Sequence, residues 1–210
     1  MNIILMGCPG AGKGTQSAKL QARFGLAHIS TGDVLRKEIA SGSALGKELA
    51  GIINQGNLVP DALMITMLEN IVKSADKGII FDGFPRTVAQ AQALDEMLKR
   101  LGREITHVIM IDLPESEVVN RICSRRQCKK CAAILRVDAK NPLTVCPACG
   151  GELYTRADDT EERAKHRLEV YYRDTLPVKN YYENSGKYTV VNGAQTPEQV
   201  FEDLVKILTK

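Results

Sequence analysis

The sequence predicts an α/β protein: a parallel sheet with helices on both faces, interrupted by two insertions. Three observations predict it. Short apolar runs alternate with longer stretches of helical periodicity, the pattern of strands buried between two helical layers. Of the 210 residues, 44% are hydrophobic and 25% charged, an ordinary balance for a soluble globular chain. Two segments, one helical and glycine-punctuated and one rich in Cys, Pro, Gly and basic residues, break the alternation.

Strands are expected at Ile3 to Met6, Ile79 to Phe81, His107 to Ile111 and Tyr188 to Val191. The helices between them have readable ends. Thr87 caps a helix whose Ala91, Leu94, Leu98 and Leu101 follow three-to-four spacing, and Gly102 ends it. Pro114 and Glu115 open another, through Val118, Val119 and Ile122. Thr196-Pro197-Glu198 opens a last one, in which Val200, Leu204 and Leu208 recur every four residues. The insertions run from about Ser30 to Val59 and from Ser124 to Asp159.

Several function classes are disfavoured. The apolar run ending at Met6 is too short for a signal peptide and lacks its basic start. No stretch suggests a membrane span. A net charge of +3 is too small to argue for nucleic-acid binding. Six cysteines without a secretory signal fit free or metal-bound thiols of a reducing cytosol better than disulfides, so the expected location is cytoplasmic.

The first strand leads into Gly7-Cys8-Pro9-Gly10-Ala11-Gly12-Lys13-Gly14-Thr15, and a helix carrying Leu20 and Phe24 follows. Glycines let successive N–H groups turn inward around phosphate oxygens, the helix N-terminus adds its positive end, and Lys13 adds a full charge. This predicts a P-loop. Where the usual pattern has a Mg²⁺-binding Ser or Thr, Gly14 stands, with Thr15 one position later. Asp82, at the end of the strand from Ile79, is then the expected Mg²⁺ carboxylate, through water if the ion keeps its hydration shell.

Arginines are the expected tools of phosphoryl chemistry, because guanidinium forks match phosphate geometry. Arg121 and Arg125 read as four apart on one helix face, Arg156 as just before a helix opened by Asp158-Asp159-Thr160-Glu161-Glu162, and Arg167 as two turns into it. Arg103, Arg163 and Arg173 read as solvated helix charges.

Cys128-x2-Cys131 and Cys146-x2-Cys149 form two knuckles that can close a tetrahedral zinc site with no open position, so the zinc is structural. A segment this small buries little apolar surface, and the metal replaces the missing core. Cys8 and Cys123 read as packing thiols.

The loop, together with Ser30-Thr31-Gly32-Asp33 and Arg36, Gly56-Asn57-Leu58-Val59-Pro60-Asp61, Asp82-Gly83-Phe84-Pro85-Arg86-Thr87, and Arg121 to Arg126, resembles the adenylate kinases in order and across nearly the whole chain. The likeness is to the nucleoside-monophosphate kinases with a long, four-cysteine zinc lid. It implies a P-loop NTPase fold with a five-stranded parallel sheet: a core of 1–29, 60–123 and 160–210, an NMP-binding insertion at 30–59 and a zinc-binding lid at 124–159. It implies reversible transfer from Mg·ATP to AMP giving two ADP, in a cytoplasmic monomer that maintains adenine nucleotide balance without nucleic-acid or membrane partners. Gly10 to Thr15, Arg121, Arg125, Ile134, Leu135 and Gln195 are then the expected ATP contacts, with Leu135 standing where many relatives have an aromatic residue. Thr31, Arg36, Asn57, Leu58, Val59, Gly83, Phe84, Pro85, Arg86, Gln90, Arg156 and Arg167 are the expected AMP contacts, with Gln90 reading the adenine edge. Lys13, Arg86, Arg121, Arg125, Arg156 and Arg167 form the expected catalytic set. A kinase for UMP or CMP, and an NTPase carrying a nucleic-acid-binding zinc ribbon, are the alternatives.

Overall fold

The computed structural model describes residues 1–55, 57–138, 140 and 142–209. Gly56, part of the motif quoted above, lies outside the described residues. In chain order the elements are β1 (Asn2–Met6), α1 (Lys13–Phe24), β2 (Ala27–Ser30), α2 (Thr31–Ala40), α3 (Ala44–Asn54), α4 (Asp61–Lys73), β3 (Ile79–Asp82), α5 (Val88–Arg100), β4 (His107–Asp112) and α6 (Glu115–Cys123). There follow β5 (Arg125–Cys128), β6 (Ile134–Arg136), β7 (Leu153–Tyr154), α7 (Glu161–Val170), which runs on into a π-helical turn at Tyr171–Thr175, α8 (Val178–Glu183), β8 (Tyr188–Asn192) and α9 (Pro197–Leu208).

The main sheet is five-stranded and parallel, ordered β2-β3-β1-β4-β8. Strand residues alternate between two cores with the period of two that a pleated strand imposes. Ile4, Met6, Ile79, Phe81, Val108 and Met110 face one cluster, with Leu68 of α4, Leu94 and Met97 of α5 and Tyr182 of α8. Ile3, Leu5, Ile80, Ile109 and Ile111 face the other, with Leu20 of α1, Val118 and Ile122 of α6 and Leu204 of α9. Each such side chain contributes about 1.5–3 kcal/mol by leaving water. Successive strands run to one side of β1 and then to the other, so the crevice at the carboxyl end of β1 is a topological switch point, where ligands of open α/β sheets bind.

Thr87 and Thr196 cap α5 and α9 as expected, and Thr196 forms a full capping box with Gln199. β2 carries little sequence signal, because it is an edge strand in which only Ile29 is buried. A second sheet, antiparallel and ordered β6-β5-β7, organises the cysteine segment. Among the described residues no helix is long and apolar enough to cross a membrane.

Two sequence expectations are corrected. Arg121 and Arg125 do not share a helix: α6 ends at Cys123, the Ser124 hydroxyl donates to the Asn120 carbonyl at 2.7 Å, and Arg125 opens β5 opposite Arg136. Strand pairing within the lid overrides the helical continuation that the spacing suggested. Arg103 is not merely solvated: its guanidinium donates to the Ala75 and Lys77 carbonyls at 2.9 and 2.6 Å and to Asn2 Oδ1 at 2.9 Å. It thereby ties the approach to β3 to the start of β1. Arg103→Ala is therefore expected to lower stability by about 1–3 kcal/mol, read from urea unfolding, since it strips partners from these acceptors.

Candidate active site

β1 ends in the glycine loop, and α1 begins at Lys13 with its N-terminus toward the crevice. Gly10 and Gly12 hold left-handed backbone (φ 82° and 97°) that turns the loop back over itself. Lys13 Nζ donates to the Gly7 and Cys8 carbonyls at 2.7 and 3.0 Å. The residue keeps some accessible surface, yet burial of its ammonium pushes the pKa down to about 8, against the pull of Asp82. Such an ammonium is short of anionic partners. Thr15 lies half-buried in the first turn of α1.

Two adjoining clefts, both open to solvent, lie at this crevice. The first is lined by Thr31, Arg36, Asn57, Leu58, Val59, Gly83, Phe84 and Gln90. The second is lined by Gly7, Lys13 and Pro85. Arg86, Arg167, Leu58 and Gly83 line both. Nearly all the expected acceptor residues thus meet in one cleft, and the loop lysine lies in its neighbour. Gln90, 2% exposed, is no surface glutamine. Thr31 Oγ1 donates to the Gly83 carbonyl at 2.9 Å, binding α2 to the turn that follows β3.

The arginines form a half-buried cationic cluster. Burial holds Arg86, Arg156 and Arg167 below the ordinary guanidinium range; Arg167 adds to the effect at Arg86, Arg36 and Arg125 at Arg156, and Arg125 at Arg167. Carboxylates hold the cluster in place. Asp159, its side chain fully buried, takes two hydrogen bonds from Arg125, one of them 2.8 Å from Nε. Asp158 accepts from Arg167 at 2.8 Å. Burial opposes its ionisation, but Arg167, Arg125 and Arg156 together keep its carboxyl below the usual range. Arg36 pairs with Asp33. Arg156 Nε donates to Gln127 Oε1 at 2.8 Å. Arg121 donates to Glu117 and to the Gly193 carbonyl, both at 3.0 Å, and its Cβ lies against Gly10 of the loop. The role of Asp158 and Asp159 was legible in principle as adjacent acids between Arg156 and Arg167, but the sequence shows them only as the opening of a helix.

Of the expected ATP contacts beyond the loop, Ile134 lies over it: a β-carbon placed on Gly14 would come within 3.1 Å of its Cδ1 and 3.5 Å of Asp82 Oδ2. Glycine here leaves room between the lid and the carboxylate. Asp82, at the end of β3, lies near Gly14 of the loop, lines neither cleft and also contacts His28 Nε2 at 3.2 Å; its carboxylate is an oxygen donor of the kind that holds Mg²⁺ with part of its water. Leu135 pairs with Arg126 across β5 and β6. Gln195 is bonded to the Asn192 carbonyl at 3.1 Å and to Asp203 at 3.0 Å, and lines neither cleft.

The sulfurs of Cys128, Cys131, Cys146 and Cys149 all lie within 4.8 Å of one another, with 3.5 Å between Cys128 and Cys149 and 3.6 Å between Cys131 and Cys146. Tetrahedral zinc with bonds of about 2.3 Å requires sulfur separations of roughly 3.8 Å, so the cluster fits the ion. The Cys131 N–H, with that of Lys130, draws the Cys128 thiol down to about 6 against its burial. Cys149, although the Gly151 N–H favours its thiolate, is pushed up to about 12 by the Cys131 thiol, by burial and by the thiols of Cys128 and Cys146. Four thiolates packed this closely need a dication among them. Gly151 admits the cluster: a β-carbon there would sit 2.8 Å from Cys128 Sγ.

Two outcomes follow from this geometry. A polyphosphate bound at Lys13 raises the ammonium pKa from about 8, so binding takes up a proton. The Kd for ATP should therefore weaken as pH rises from roughly 7 to 9, and Lys13→Met should flatten the dependence, as measured by calorimetric titration. The purified chain should hold about one zinc per molecule by atomic emission, and its removal with a strong chelator should lower the melting temperature.

A family model described as adenylate kinase matches residues 5–187. Curated proteins named adenylate kinase match across the full length. One from Elusimicrobium minutum is 45% identical, covering 100% of this chain and 99% of its own. One from Archaeoglobus fulgidus is 44% identical with the same coverage, and one from Kosmotoga olearia is 46% identical over 99% of each chain. The paired clefts at the mouth of the glycine loop are what such a likeness leads one to look for, and the match runs through every segment that builds them: the chain belongs to the adenylate kinase family.

Proposed function

We propose that the protein is an ATP:AMP phosphotransferase that moves the terminal phosphoryl group of Mg·ATP to AMP, reversibly, giving two ADP. The observation that carries this reading is the pair of clefts sharing Arg86 and Arg167: one opens on the P-loop lysine, the other on a buried carboxamide. A hydrolase needs one nucleotide cleft and a water; two adjoining clefts with cations at their junction suit transfer between two phosphate-bearing ligands.

An AMP phosphate oxygen attacks the γ-phosphorus as the bond to the bridging oxygen of the leaving ADP breaks. Little acid–base chemistry is required, and catalysis is chiefly positioning and neutralisation of charge. Lys13 and the loop N–H groups hold the donor phosphates; Arg36 and Arg86 hold the AMP phosphate; Arg121, Arg125, Arg156 and Arg167 balance charge on the oxygens in flight. Mg²⁺, held with water by Asp82, would neutralise the donor polyphosphate and keep it in one conformation. Thr31, Asn57, Leu58 and Val59 enclose the AMP base and ribose, with Gly83, Phe84 and Pro85 along the cleft wall. Ile134, Leu135 and Gln195 serve the ATP adenine by apolar packing and an amide.

Segments 30–59 and 124–159 work as NMP-binding and lid units against the core of 1–29, 60–123 and 160–210. His166 Nε2 lies 2.9 Å from Asn57 Oδ1, a contact that joins α7 to the first of these units and supports a closed arrangement in which water is excluded from the transfer. The zinc keeps the lid rigid without touching substrate. The working form is a cytoplasmic monomer that balances adenine nucleotides. Tyr154, the lid's aromatic residue, gives its hydroxyl to Gln127 at 2.9 Å and is half-buried, which disfavours a base-stacking ribbon.

A coupled assay checks the activity directly. AMP with Mg·ATP should produce ADP well above the ATP-only rate, and faster than UMP or CMP; preference for a pyrimidine acceptor would move the assignment to another monophosphate kinase. Arg167→Ala should lower kcat by about 10²–10³-fold with folding retained, because its charge counts most in the transition state.

A further inference from the structure

Asp61 stands at the first position of α4 and lines neither cleft, yet both of its carboxylate oxygens are taken up on the wall behind the acceptor cleft. Oδ1 accepts from Gln90 Nε2 at 2.7 Å, and Oδ2 accepts from the Thr87 hydroxyl at 2.8 Å. On the other side of the same carboxamide, Gln90 Oε1 accepts from the Arg86 main-chain N–H at 2.8 Å. A carboxylate can only accept and a peptide N–H can only donate, so the two ends of the Gln90 amide are fixed in order. One N–H and one lone pair remain for the cleft.

That order decides what can be read. Adenine offers a donating amino group beside an accepting ring nitrogen; hypoxanthine offers an accepting carbonyl beside a donating ring N–H. A glutamine free to turn over matches either edge, whereas a locked one matches only one. We infer that Asp61 is a specificity-determining positioning residue, which holds Gln90 in the orientation that accepts a 6-amino purine and rejects a 6-oxo purine. The inference rests on the acceptor reading above. Asp61 acts through Gln90 and touches no reacting atom. Loss of its carboxylate leaves only the Arg86 N–H to oppose inversion of the amide.

The test compares kcat/KM for AMP and for inosine monophosphate at saturating Mg·ATP in the wild type, Asp61→Leu, Asp61→Ala, Gln90→Ala and the Asp61→Ala/Gln90→Ala double variant. Asp61→Leu keeps the approximate size and shape but offers no acceptor to Gln90, so a result does not depend on the alanine variant folding. The AMP preference should fall by about tenfold or more in both Asp61 variants, the scale of one lost charged hydrogen bond. The change should lie in the acceptor KM, with the KM for ATP unmoved, and Asp61→Ala should add nothing to it once Gln90 is alanine. An equal loss on both acceptors, or a preference unchanged within about twofold, would overturn the inference and leave the phosphotransferase reading standing. A wild type that turns over neither acceptor would overturn both.

Discussion

Positive charge gathered at one end of the sheet, and partly withdrawn from water, governs how the surrounding chain is arranged. Lys13, Arg86, Arg156 and Arg167 are each held below their ordinary range, and burial is the first cause in every case. A fold tolerates such crowding only when carboxylates supply counter-charge or when ligands do. Both occur here. Asp158 and Asp159 anchor Arg125 and Arg167 from one side, while Lys13, Arg86 and Arg167 line the clefts. Cations held in place by such pairs are pre-organised to meet an anionic ligand.

The scaffold explains why they meet. Lys13 follows β1, Asp82 ends β3 and Arg86 follows it, and β1 and β3 are parallel neighbours with Leu5 registered on Asp82. Their carboxyl ends therefore deliver loop, carboxylate and arginine to one edge without long excursions of chain. Arg125, Asp158 and Asp159 come from the two ends of the lid segment, so the ion pair between Arg125 and Asp159 ties its entry to its exit. Between those ends the sulfur cluster and three short strands stand in place of a larger apolar core.

Much of this was legible in the sequence because it rests on local rules. The glycine loop, the caps at Thr87 and Thr196 and the paired cysteines each depend on neighbours a few residues away. What was hidden depends on distant partners. β2 gave little sign because an edge strand with a single buried residue needs no apolar run. Arg125 read as helical because its spacing from Arg121 is helical, and only pairing with Arg136 shows it in a strand. Arg103 looked like a solvent charge although its three acceptors lie at residues 2, 75 and 77. Gln90 was legible as a candidate reader, but its burial and the carboxylate behind it belong to the tertiary structure.

The proposed chemistry requires two phosphate-bearing ligands to share one cationic junction. Calorimetric titration with a single molecule in which two adenosines are joined by five phosphates tests it most directly. Simultaneous occupation of both clefts predicts one molecule bound per chain, with an affinity exceeding those of ATP and AMP alone by orders of magnitude, and a marked loss of that affinity in Arg167→Ala. Binding no tighter than that of ATP by itself, or unaffected by Arg167→Ala, would exclude a shared junction.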